Sequence, residues 1–301
     1  MEEHGMEGKV FYIVDVFAEE KYAGNQLAVF RDTAGMSDCE MQDLAKEMNY
    51  SETTFILREE EDEGGYDVRI FTPDAEVPFA GHPTLGTACV IQQEIVGKPV
   101  DKVTLNLRVG QIPVSFTYDD QGMADTLWMR QKAPVAGKVV DRGIIASVLN
   151  LLASDIDDTF PVQEFSTGLP FIIVPLRNMQ ALRKSHVDRD KLYAMVDALE
   201  AKAVLCFSPE TYRPEHDLAV RVFADYYGVP EDPATGSANG DLAGYLVHHR
   251  YFKKDEINIS VGQGYEVGRP SLLMLKSRKL EDSIEVNVGG GVVMVAKGEL
   301  L

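Results

Sequence analysis

The chain has 301 residues, 45% of them hydrophobic and 26% charged, which is enough for two ordinary domains with buried cores and argues against disorder. A formal net charge of −19 speaks against a broad nucleic-acid or anionic-membrane surface, since both need clustered Lys and Arg, but leaves room for a local site that takes a small anion. The start, MEEHGMEGKVFY, is acidic and polar rather than basic then apolar, and no apolar run approaches the length that spans a bilayer, so a cytoplasmic protein is expected.

In chain order, VFYIVDVF from Val10, LAVF, TTFILRE, YDVRIFT, VTLNLRV, IPVSFTY and TLWMRQ read as short strands, rich in β-branched and aromatic residues and separated by turn formers. Between them Ser37 to Met48 reads as a helix, with Ser37 and Glu40 at capping-box spacing and Met41, Leu44, Ala45 and Met48 on one face. The second half repeats the scheme with PFIIVPL, a helix near Asp188 to Ala201, AVLCFS, LAVRVFA, INISVG and SLLMLKS. Single helices alternating with several strands fit an α+β class better than a parallel βαβ array. The three cysteines, Cys39, Cys89 and Cys206, are widely spaced without a CxxC, which predicts small core residues rather than disulfides or a zinc site. No His/Asp/Glu set has metal-ligand spacing, so no metal is expected.

The chain also resembles itself. VRIF at Val68 recurs as VRVF at Val220, Val77-Pro78 as Val229-Pro230, HPTLGTA from His82 as DPATGSA from Asp232, and VGQ at Val109 again at Val261, all in order and at nearly one offset. Two halves sharing one fold, related by a pseudo-twofold axis, explain this. Apolar helices follow the third pair of motifs. Leu85, Ala88, Cys89, Val90 and Ile91 leave little polar face, and so do Ala238, Leu242, Ala243, Leu246 and Val247.

A buried helix has unpaired N–H groups in its first turn, and these are expected around Gly86-Thr87 and around Gly236-Ser237, where the helix dipole favours a carboxylate or phosphate. If the halves face each other, His82 and Asp232 sit at one cleft because a ligand does. The structural alternatives are that Asp232 is a helix N-cap and that His82 satisfies a buried carbonyl. Glu52, in NYSETTFIL, stands at a strand entrance, and the repeat offset places Lys202 and Ala201 at its counterpart. This acid is therefore unmatched in the second half, as a single general base would be. The glycines of VGGGVVMVAKG precede a strand, not a helix, so they are no dinucleotide fingerprint.

Together, DVFAEEKYAGNQLAVF, SETTF, FTPDAEVPFAGHPTLGTA, STGLPFIIV, EDPATGSANG, VGQGYEVGRPS and VGGGVVMVAKGEL resemble the PhzF family of phenazine-biosynthesis isomerase-like proteins over essentially the whole chain. The resemblance implies a diaminopimelate-epimerase-like fold: two pseudo-symmetric α+β domains, 1–128 and 129–282, each a mostly antiparallel sheet rolled around a central helix. The C-terminal strand, 283–301, would return to the first domain. It further implies a homodimer without a cofactor, acting on a small carboxylated substrate, with no nucleic acid and no membrane.

By the same resemblance Glu52 is the catalytic acid/base beside His82 and Asp232, with substrate contacts from Gly81, Gly236, Ser237, Asn25 and Ser51. Racemase relatives place a cysteine at each helix start; here His82 and Asp232 stand there, which disfavours two-thiol chemistry. Gln26 departs from the Gly-Asn-Pro of many members. The expected reaction is isomerisation by proton movement between carbons; the alternative is a non-catalytic ligand-binding or protein-interaction role on the same fold.

Overall fold

The computed structural model describes residues 8–301; the acidic start discussed above, residues 1–7, lies outside the described residues. Two compact units emerge. One runs to Met129 and takes back Gly290–Leu301; the other is Arg130–Gly289. The first contains β1 (Val10–Val16), β2 (Asn25–Phe30), α1 (Asp38–Met48), β3 (Thr53–Ile56), β4 (Tyr66–Phe71), β5 (Glu76–Val77), α2 (Gly81–Val90), β6 (Lys102–Leu107), β7 (Gly110–Tyr118) and β8 (Ala124–Arg130). The second contains β9 (Val135–Val139), α3 (Arg142–Val148), β10 (Gln163–Ser166), β11 (Pro170–Pro175), α4 (Met179–Lys184), α5 (Arg189–Val196), β12 (Ala203–Ser208), β13 (Leu218–Ala224), β14 (Val229–Asp232), α6 (Gly236–His248), β15 (Glu256–Gln263), β16 (Ser271–Lys279) and β17 (Ile284–Gly290). The last strand, β18 (Val292–Glu299), belongs to the first unit.

The two units share one pairing scheme. In the first, strands pair in the order β18-β1-β2-β3-β4-β6-β7-β8, with β5 folded back on β4; β2–β3 and β4–β6 are parallel and the rest antiparallel. In the second the order is β9-β10-β11-β12-β13-β15-β16-β17, with β14 folded back on β13 and with β11–β12 and β13–β15 parallel. Each sheet wraps a helix: α2 packs on β1, β2, β3, β6, β7 and β18, and α6 on β10, β11, β15 and β16. This is the α+β, epimerase-like arrangement expected from the sequence. β18 takes in the first unit the place that β9 takes in the second, and β17 stays with β16, so the returning segment starts at Gly290 rather than at residue 283.

Strand register tests the internal repeat residue by residue. Phe55 pairs with Arg69 and Cys206 with Arg221, so the VRIF and VRVF strands are equivalent. VGQ fails the same test. Tyr66 pairs with Leu105 and Leu218 with Val261, which makes Leu105, not Val109, the counterpart of Val261. Val109 and Gln111 instead lie at the exposed turn into β7.

Local chemistry explains most elements. α1 starts where the sequence predicts, with the Ser37–Glu40 capping box formed, and lays Met41, Leu44 and Ala45 on Phe30, Phe55 and Phe71. The helix expected near Asp188 to Ala201 is α5, capped by Asp188 but ending at Val196. α3 and α4, too short to show a period, are capped by Asp141 and Asn178 and cover the second sheet from outside. Cys89 and Cys206 are buried as expected, but Cys39 is exposed, because it sits in the first turn of α1 away from the apolar stripe.

Gly86 is where α2 comes closest to its sheet. A Cβ there would lie 2.6 Å from Leu27 Cδ2 and 2.9 Å from Val16 Cγ2, both fully buried. Gly86→Ala therefore forces strands β1 and β2 away from the helix, and should cost about 1–3 kcal/mol in denaturant unfolding; an unchanged midpoint would show that the sheet gives way freely.

Candidate active site

α2 and α6 enter their sheets with no side-chain cap: Ala80 and Thr235 are the N-cap residues and neither bonds the first turn through its side chain. The two starts differ in detail. α2 begins at Gly81, so His82 is its second residue and Pro83 its third. Proline carries no N–H, and the first-turn donors are those of Gly81 and His82. Gly86 and Thr87 lie in the second turn, inside the hydrogen-bond ladder, which corrects the expectation that they are the exposed donors. The expectation had aligned α2 with α6 by the shared Gly-x-Ala spacing, whereas α2 starts five residues earlier in that alignment.

His82 and Glu52 meet in the first unit. His82 Nε2 lies 3.4 Å from Glu52 Oε2, with side chains 8% and 18% exposed. Burial pushes the imidazole down to about 3, against a weaker opposing hydrogen bond to the backbone of Gln26. That bond favours the protonated ring, so the ring donates to the Gln26 carbonyl, and with Nε2 facing Glu52 the donor is Nδ1–H. The ring is thus neutral at ordinary pH, and the contact is not an ion pair but an imidazole lone pair turned to a carboxyl oxygen. Such a pair can hold one proton, on the carboxyl or shared. The structural reading of His82, that it satisfies a buried carbonyl, is correct and compatible with this role. Because the acceptor is a main-chain carbonyl, Gln26 in place of proline leaves the bond available.

The strand carrying Glu52 is pinned to the helix carrying His82 by a buried Thr54–Thr87 hydroxyl pair at 2.8 Å, a contact that no motif announced. Ser51 adjoins Glu52 at partial exposure, Asn25 opens β2 as a buried residue beside Gln26, and Gly81 adjoins His82. Register gives the counterpart of Glu52. Thr53 pairs with Phe71 as Val204 pairs with Phe223, so the residue before Thr53 corresponds to Ala203, a fully buried alanine. The second unit has no carboxylate there.

In the second unit Asp232 ends β14 rather than capping α6. Proline at 233 biases the preceding residue to extended backbone, which keeps Asp232 in the strand. Its carboxylate accepts from the Thr235 hydroxyl. Its neighbour Glu231 is gripped by a buried fork from Arg221, at 2.9 and 2.7 Å, while the third guanidinium nitrogen bonds the carbonyls of Leu182 and Ser185. The same fork, Arg69 to Glu76, crosses the β4–β5 hairpin of the first unit. After Thr235, whose side chain makes no cap bond, the helix opens on Gly236, Ser237 and Ala238. Sequence reasoning thus found both uncapped helices but misplaced the start of the first, and it missed the hydroxyl contacts of Thr54, Thr87 and Thr235.

The family described as phenazine biosynthesis-like protein, PhzC-PhzF, matches residues 14–298. The chain belongs to this family. Over 96% of its length and 98% of the relative's it is 35% identical to the trans-2,3-dihydro-3-hydroxyanthranilate isomerase of Pseudomonas aeruginosa. The fold matches that of a Bacillus anthracis phenazine biosynthesis protein of the PhzF family, with a TM-score of 0.90 at 24% identity over 98% of this chain and 100% of the other. It also matches a probable proline racemase of Agrobacterium radiobacter, at 0.62 and 10% identity over 97% and 93%. The protein is a PhzF-family isomerase with the epimerase-like fold. Among its described residues no helix is long and apolar enough to cross a membrane.

The buried His82 sets a pH dependence. Its pKa is depressed in the folded state, so the unfolded chain binds this proton more tightly; stability is intact above about 6.5 and lost as pH falls toward 3. His82→Asn keeps a donor for Gln26 and should flatten the decline of melting temperature below pH 6.5; an identical decline in both proteins would show that other groups carry it.

Proposed function

We propose that the chain moves a proton between carbons of a small carboxylated metabolite, with Glu52 as general acid/base. The observation that carries this is the Glu52–His82 pair, a carboxyl 3.4 Å from a neutral, buried imidazole whose other nitrogen is committed to a main-chain carbonyl. The Glu52 carboxylate takes a proton from one carbon, the electron pair of that C–H bond shifts the double bond, and the same proton returns to a second carbon. Nothing is consumed, so the reaction balances without a cofactor. His82 Nε2 accepts a hydrogen bond from the protonated carboxyl and so steadies the intermediate state; a separation of 3.4 Å is of the loose kind seen before substrate tightens a site.

The N–H groups of Gly236 and Ser237, with the positive end of α6, suit the substrate's carboxylate, and Asp232 orients its polar groups. Gly81, Asn25 and Ser51 line the acid/base side. The relative's name supports a substrate like trans-2,3-dihydro-3-hydroxyanthranilate, a carboxylated ring, and the family supports a cytoplasmic homodimer.

Glu52→Gln keeps shape and removes the base. A positioned general base contributes about 10²- to 10⁴-fold, and a loss of that size is expected in kcat with KM little changed. Substrate conversion at the undiminished rate would move the base role to His82 or Asp232. Turnover should persist in a chelator; loss that a divalent ion reverses would mean that a metal takes part.

A further inference from the structure

The VGQ motif at Val261 found no role in the repeat, and the fully buried side chain of Gln263 explains why it is there. Four hydrogen bonds use up its amide. Asn239 Nδ2 donates to the Thr235 carbonyl at 3.0 Å and to Gln263 Oε1 at 2.9 Å; a carbonyl only accepts, so the orientation of Asn239 is settled, and with it that of Gln263. Thr235 N–H donates to the same Oε1 at 3.3 Å. Gln263 Nε2 then donates to the Asp232 carbonyl at 2.8 Å and to Thr235 Oγ1 at 3.1 Å. A hydroxyl has one hydrogen. Because Thr235 Oγ1 accepts from Gln263, that hydrogen points into Asp232 Oδ2.

We propose that Gln263 and Thr235 are positioning residues that act through Asp232, fixing the direction of its hydrogen bonding so that it meets a ligand only as an acceptor. The inference rests on the reading that Asp232 touches the substrate. A carboxylate fed by a directed donor keeps its charge and its orientation, and the group it accepts from must be an O–H or N–H of the substrate. Two neighbouring carboxylates are spoken for elsewhere: Glu231 is held by the Arg221 fork, and Glu266 lies 4.0 Å from the same guanidinium and accepts from the Tyr212 hydroxyl. The device is confined to the second unit. By register the counterpart of Gln263 is Leu107, an apolar residue, while Gln111 spends its amide on the Glu63 carbonyl and Asn106 at the surface. The helix start with the acid/base pair therefore lacks the amide, and the helix start without that pair has it.

The test follows the Asp232 carboxyl by ¹³C NMR in the full-length chain, its resonance assigned by loss in Asp232→Asn. Thr235→Val removes the hydroxyl at constant shape, and the Asp232 titration midpoint should rise by about one pH unit, the worth of one hydrogen bond to a charged acceptor. Gln263→Met should raise it in the same direction by less, and Thr235→Ser should restore the wild-type midpoint. A role in holding the loop alone would leave the midpoint where it is, and a folded Thr235→Val or Gln263→Met protein with the wild-type midpoint overturns the proposal. Turnover does not enter this measurement. A kinetic result that removes Asp232 from the reaction would defeat the functional reading while the titration still stands or falls by itself.

Discussion

A helix enclosed by sheet must hide its sides yet leave the N–H groups of its first turn without intrahelical partners, and that constraint organises this protein. α2 and α6 meet the first demand with alanine, glycine and aliphatic residues. At their starts neither uses the usual Ser, Asp or Asn cap. An uncapped start in a buried place is costly unless something supplies acceptors, and an anionic ligand does so at the positive end of the dipole. Carboxyl side chains stand beside those starts on neighbouring strands: Glu52 at the entrance of β3 and Asp232 at the end of β14.

The shared pairing scheme supplies two similar frames, and the two differ at their helix starts. At the first helix start a carboxyl faces a neutral imidazole. At the second the acid is replaced by a buried alanine, and the Thr235 hydroxyl, which accepts from the Gln263 amide, donates its hydrogen to the Asp232 carboxylate.

Much of this was legible from residue patterns. Strand after strand showed in its β-branched and aromatic content, and α1 showed in Ser37 and Glu40. His82, Asp232 and Glu52 stood out because polar residues interrupt apolar or small-residue runs. The exact helix start was not legible: the residue before a proline is biased away from helix, yet His82 is helical before Pro83, because packing of α2 within its sheet outweighs that local preference. β9 escaped notice because its side chains are exposed and show no alternation. The VGQ match looked like repetition and was coincidence of composition, which only strand register separates from true equivalence. Buried hydroxyl and amide contacts, such as Thr54 with Thr87, leave no periodic trace at all.

The final strand has a consequence for how the chain is made. β1 needs β18 as its antiparallel neighbour from Val10 to Val16, and β18 follows every other element of both units along the chain. The second unit is continuous in sequence and holds all its strands once β17 has left the ribosome. The first unit, whose other strands all precede the second unit in the chain, waits with an open sheet edge until β18 has followed that unit. Birth order and completion order are therefore reversed, and the part that carries Glu52 and His82 is the last to close.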